Sequence, residues 1–222
     1  MKKLIFFLCL PLLLAACGAF SAALTDKDVL QYIKACNNIG AAADELKKMQ
    51  SDDKAQSLIT CAPCRARMEK AVQDAGYADM KAFVASEIRV YLALRAWTYA
   101  EITKLAGQLG QGVAAEDFCG IKDNVDHANR PQDMLRYCGQ LQTYTGYLSH
   151  AGSLAVRLAE KLVRQGDIEA VGRHIDAIGA AQASAQRAEL PSEPRTSDSN
   201  GNSNSSSNSN SGGGGHHHHH HH

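Results

Sequence analysis

Proline is scarce where it would matter most: of the five in this 222-residue chain, only Pro63 and Pro131 fall between residues 24 and 190. A stretch with so few breakers, rich in Ala, Leu, Gln, Lys and Arg, favours helix over strand. Net charge is lacking too. The chain holds 23 Lys and Arg against 23 Asp and Glu, and setting aside residues 1–16 leaves 21 basic against 23 acidic residues. That balance gives no attraction for nucleic acid. The longest apolar run, residues 4–14, is interrupted only by Pro11. It falls well short of the ~20 residues needed to cross a hydrocarbon core of about 30 Å, which excludes it as a permanent membrane helix. No nucleophile elbow, phosphate-binding loop or pair of catalytic carboxylates is present, so the sequence points away from an enzyme.

What is present begins at the first residue. Lys2 and Lys3 precede the apolar run, and Leu14-Ala15-Ala16-Cys17 closes it, the order of a secretory signal. That closing tetrapeptide resembles the lipobox of bacterial lipoproteins. The resemblance implies cleavage before Cys17, a diacylglyceryl thioether on its sulfur, and a further acyl chain such as palmitate on the new amino terminus. Two or three chains hold a protein stably where one holds it marginally. Gly18 is not the aspartate that retains many such proteins at the inner membrane, so the resemblance places the chain on the outer membrane, facing the periplasm. Ordinary cleavage after Ser21 or Ala23-type small residues is the competing reading and would leave a soluble periplasmic protein; a cell-surface position is a further alternative. The expected organisation is a signal at 1–16, a lipidated linker at 17–23, a bundle domain at 24–190 and a tail at 191–222.

Between residues 24 and 190 lie enough residues for one domain with a proper core. Thr25 with Asp28 three residues on reads as an N-cap with an acidic capping box, and Val29, Ile33 and Cys36 share the face that follows. Asn37 to Gly40 end that helix, a second covers about 41–50, and Ser51-Asp52-Asp53 caps a third fading near Thr60. Pro63 suits the first turn of the next, which Gly76 closes. A long amphipathic helix then runs over 77–105, with Val84, Ile88, Tyr91, Leu94, Thr98, Ile102 and Leu105 on one stripe. A shorter helix is expected over 114–126. Met134, Tyr137, Leu141, Tyr144, Leu148, Ala151, Ala155, Leu158 and Leu162 make a heptad-type seam, beside which Gly139, Gly146, Ser149 and Ser153 offer a second face small enough for close helix approach. After the turn at Gln165-Gly166-Asp167, Ile168, Val171, Ile175 and Ile178 mark one returning helix. The fold class expected is all-α, an antiparallel helical bundle. Residues 191–222, mostly Ser, Asn and Gly, lack the apolar surface to offset ordering entropy and read as a disordered tail.

With Cys17 committed to lipid, Cys36, Cys61, Cys64, Cys119 and Cys138 remain as disulfide candidates; the number is odd, so at least one thiol stays free or pairs between molecules. Cys61-Ala62-Pro63-Cys64 resembles the redox motif of thioredoxin-like proteins, in which a thiolate is stabilised at a helix N-terminus. No βαβ pattern surrounds it, and a structural disulfide is favoured, within the motif or to Cys36. Cys119 and Cys138 flank a loop that a bridge would close, and zinc held by Cys61, Cys64, Cys119 and Cys138 is the sharper alternative. Asp123, Asp126 and His127, at i, i+3 and i+4, could face a cation but read as a solvated face; His150 and His174 read as surface or cap residues. His216, His217, His218, His219, His220, His221 and His222 could bind Zn²⁺, Ni²⁺ or Cu²⁺, and they are equally what a purification tag looks like. No other cofactor is expected. The leading expectation is a non-enzymatic, membrane-anchored adaptor or assembly protein with an envelope protein partner, its pattern similar to small uncharacterised helical lipoproteins of proteobacteria. A metal-binding lipoprotein is the second reading and a thiol–disulfide protein the third.

Overall fold

In a computed structural model, residues 22–108, 119, 132–150, 157 and 160–189 are described, and they form an all-α bundle with no strand among them. Seven helices follow in order among the described residues: α1 (Asp26–Ala41), α2 (Ala43–Asp52), α3 (Ala62–Asp74), α4 (Met80–Gln108), α5 (Gln132–His150), α6 (Gln165–Arg173) and α7 (Ile175–Gln186). The expected helix over 114–126 lies outside the described residues apart from Cys119, as do residues 1–21 and 191–222.

Local chemistry sets the boundaries. Thr25 Oγ1 accepts from the Asp28 N–H at 3.2 Å while Asp28 Oδ2 accepts from the Thr25 N–H at 2.8 Å, a complete capping box. At the end of α3 the Tyr77 N–H donates to Val72 O and the Gly76 N–H to Gln73 O, with Gly76 at φ 102°, the Schellman arrangement that only glycine adopts without strain. The helix expected after Ser51 does not form, because Ser51 and Asp52 are the last turn of α2. Downstream, Ser57 Oγ accepts from the Thr60 N–H at 3.3 Å and Thr60 Oγ1 from the Ser57 N–H at 3.2 Å. These hydroxyls satisfy backbone donors in a turn and remove the incentive to continue as helix.

α4 is the central element. Its length is about 44 Å at 1.5 Å per residue, and its middle, Val90 to Leu94, is buried at five consecutive positions. A one-sided stripe was expected from the spacing; burial all round means that neighbours cover it from several directions. α5 lies antiparallel to it: Tyr91 meets Tyr144 and Tyr147, whereas Trp97 meets Tyr137. Leu141, Tyr144 and Leu148 of the expected seam are buried and Tyr137 half-buried, while Leu162 is exposed; the remaining seam side chains lie outside the described residues.

Two pairings run parallel. Asp26, Tyr32 and Gly40 of α1 meet His174, Gln182 and Ser184 in the same order, and Arg89 and Trp97 of α4 meet Asp167 and Gly172. The expected single returning helix is split at His174, where φ is −120°; Val171 and Ile178 are fully buried on either side of the break. Nor do Gly139 and Gly146 admit a neighbour, since a Cβ at either would meet open space. Close approach falls at Gly40, where a Cβ would lie 2.8 Å from the Ser184 carbonyl.

The apolar interior has two parts. The larger joins α1, α2, α3, α6, α7 and the first half of α4 with the end of α5, and the smaller gathers Ile102, Ala106, Cys138 and Leu141 around the far end of α4.

Candidate functional site

The first described residues are fastened to α6. Arg89 Nη2 lies 3.1 Å from Asp167 Oδ1, with side chains only 12% and 1% exposed, so the pair is desolvated and depends on its remaining bonds being made. Three of these are present: Asp167 accepts from the Leu24 and Arg164 backbone N–H groups, and Arg89 donates to the Ala22 carbonyl. The segment before α1, 143 residues away in sequence, is thereby tied to the start of α6. Cys17 itself lies outside the described residues.

Cys61 and Cys64 form a disulfide with Cα atoms 5.1 Å apart. Cys61 is the N-cap of α3, its Sγ accepting from the Cys64 N–H at 3.2 Å. The position is the one a reactive thiolate requires, but both residues are fully buried, Cys64 Sγ lying 3.8 Å from Leu46 O, which denies an incoming thiolate the in-line approach that exchange demands. Cys119 and Cys138 form a second disulfide, Cα atoms 5.5 Å apart, inside the smaller core. The four sulfurs sit in separate clusters, so the four-cysteine zinc set does not assemble. Among the described residues no group of three or more His, Cys, Asp and Glu side chains is placed to hold a metal ion.

Cys36 corrects an expectation: it is a free, buried thiol rather than a disulfide partner. Its side chain belongs to the Tyr32 and Glu87 side of α1, and burial pushes its pKa up to about 12. It is therefore a protonated apolar filler, not a nucleophile. His174 caps the α6–α7 break, with Nε2 2.8 Å from Asp26 Oδ1, and Arg173 Nε reaches the same oxygen at 3.1 Å. The hydrogen bond from His174, then that from Arg173, holds the Asp26 carboxyl below the usual range. His150 is exposed at the end of α5. Asp123, Asp126, His127 and His216 to His222 lie outside the described residues.

Sequence reasoning missed a polar cluster that joins several helices. Glu87 of α4 is half-buried, and its carboxylate accepts from the Tyr32 hydroxyl of α1 at 3.4 Å and from the Tyr147 hydroxyl of α5. Gln182 Nε2 of α7 donates in turn to the Tyr32 oxygen at 3.3 Å. Loss of water is the dominant effect on Glu87 and raises its pKa to about 7; the two hydroxyls pull the other way and the Glu189 charge adds to the rise. Burial also raises Tyr32, Tyr77 and Tyr91. The signal was available: Glu87 stands three residues after Val84 and four before Tyr91, on the stripe that faces the core. The thiol beside it, Cys36, is held protonated by burial, and the cluster binds four helices together through one proton-sensitive group. Compared with protein-family models, with curated proteins and with solved structures, the chain matches none.

Proposed function

We propose that this protein is a lipid-anchored envelope protein, on the periplasmic face of the outer membrane, whose helical bundle serves as a non-enzymatic adaptor for a protein partner. The observation that carries the reading is Leu14-Ala15-Ala16-Cys17 closing the apolar run behind a basic start. Among the described residues no helix is long and apolar enough to cross a membrane, so in this reading the lipid supplies the anchor. Ala22 is bonded to Arg89. Four residues lie between it and Cys17, a span of five residue steps that reaches at most about 18 Å when extended, so an acylated Cys17 would hold the start of α6 close to the headgroups. The buried polar groups support an adaptor rather than a catalyst, since Asp167 and Glu87 are engaged in joining helices.

The test is Cys17→Ala expressed in an envelope with its lipoprotein-processing enzymes. The variant should leave the membrane fraction or remain unprocessed, while the mature wild-type terminus should carry the mass of two or three acyl chains. A wild-type terminus at Ala22 or Leu24 without lipid would overturn the reading.

A further inference from the structure

Trp97, the chain's one tryptophan, is half-buried, and its indole rests on Gly172 of α6, where a Cβ would come 2.5 Å from the ring nitrogen. Beside it α4 and α6 leave a groove of about 450 Å³. The space is there because side chains are not: Ala100 and Gly172 contribute a methyl and a hydrogen to its wall. Ile168 and the indole give it apolar sides. Glu101, one helical turn beyond Trp97, and Glu169, across on α6, put carboxylates on its rim. Glu169 bonds to the neutral amide of Gln165 at 3.2 Å. The groove's cation, Arg173, is already matched by Asp26 at 3.1 Å. The local balance is therefore negative beside an aromatic wall, the combination that attracts a cation carried on an apolar stem.

We propose that the groove between α4 and α6 docks a basic side chain, lysine or arginine, presented by a segment of the envelope protein partner. The inference rests on the adaptor reading and adds the chemistry of the partner. The stem lies along Ile168 and the indole, and the charged head sits between Glu101 and Glu169 with the ring quadrupole behind it. The groove is also close to the segment that precedes α1, since a Cβ at Gly166 would touch Ala23 at 3.1 Å, so docking takes place on the side of the bundle that a lipidated Cys17 would keep near the membrane.

The single tryptophan makes the test direct. The mature protein in detergent is titrated with an acetylated octapeptide of alternating lysine and alanine, and Trp97 emission is recorded. A saturable shift that weakens with added salt is expected. The Glu101→Gln, Glu169→Gln double variant should bind about tenfold more weakly, the loss of two partly exposed charge contacts. These rim substitutions leave the Trp97–Gly172 and Trp97–Tyr137 contacts in place, unlike Trp97→Ala, which would report folding as well. No shift at millimolar peptide, an equal shift with a glutamine-for-lysine peptide, or undiminished binding by the double variant would overturn the proposal. So would a shift produced by phosphatidylethanolamine vesicles and not by peptide, which would assign the groove to a lipid ammonium. Lipidation does not enter the titration, so its failure leaves the Cys17 result standing, and a failure at Cys17 leaves the titration unchanged.

Discussion

Glu87 shows how much one carboxyl can be asked to do. Ionising it leaves a charge between helices where little but two tyrosine hydroxyls replaces the lost water, and its pKa stands at about 7 against an ordinary 4.5. The folded state therefore binds the proton more tightly than the unfolded chain, and the stabilisation, complete below about pH 4.5, is lost as pH rises through 7. Wild-type protein should lose about 1–3 kcal/mol between pH 5 and pH 8 from this group, the partial exposure of Glu87 setting the lower end. Glu87→Gln, which keeps the shape and removes the titration, should flatten that part of the profile in urea unfolding. Identical slopes for the two proteins would show that Glu87 ionises without cost. Burial was not readable here: the stripe shows which face Glu87 is on, but the hydroxyls that meet it come from residues 32 and 147.

Between elements, glycine positions carry the contrast. Gly40 lies where α1 and α7 cross, and a Cβ there would press on the Ser184 carbonyl at 2.8 Å, within backbone that cannot swing aside. Gly40→Ala should cost about 1–3 kcal/mol, the price of overpacking. Gly139 in α5 has nothing within 4 Å of its Cβ position, and Gly139→Ala should stabilise by about 0.5–1 kcal/mol through helix propensity alone. Thermal melts of the two variants should therefore move in opposite directions, and a neutral Gly40→Ala would mean that α1 and α7 do not cross so closely. Small residues near a heptad seam suggested close packing on α5. Smallness permits approach without causing it, and the approach occurs where α1 and α7 cross, a pairing of elements more than a hundred residues apart.

For the molecule as a whole, the two disulfides act at different ranges. Cys119 and Cys138 are 19 residues apart and Cys61 and Cys64 only three. Constraint of the unfolded chain grows with the loop closed, so removing the first bridge with Cys119→Ser and Cys138→Ser should lower stability by about 3 kcal/mol. Denaturant midpoints with and without reductant would check it: an unchanged midpoint in the double variant would mean that the bridge adds nothing.

The chain by itself determined what depends on near neighbours. The Thr25–Asp28 cap, the Gly76 terminator, Pro63 in the first turn of α3 and the long run of α4 follow from groups within one or two turns of each other, and with them the all-α class. The tertiary structure decided what depends on distant partners. It set Val90 to Leu94 inside the bundle on every side, ran α6 parallel to α4 and α7 parallel to α1, broke the last helix at His174 over Asp26, and left Cys36 a thiol. Most of these rest on contacts spanning 50 residues or more, as in Tyr32 to Glu87, Arg89 to Asp167 and Asp26 to His174, whereas Cys36 stays a thiol because Cys61 pairs with Cys64 three residues on. Periodicity records which face of a helix is apolar and carries no term for which helix will cover it.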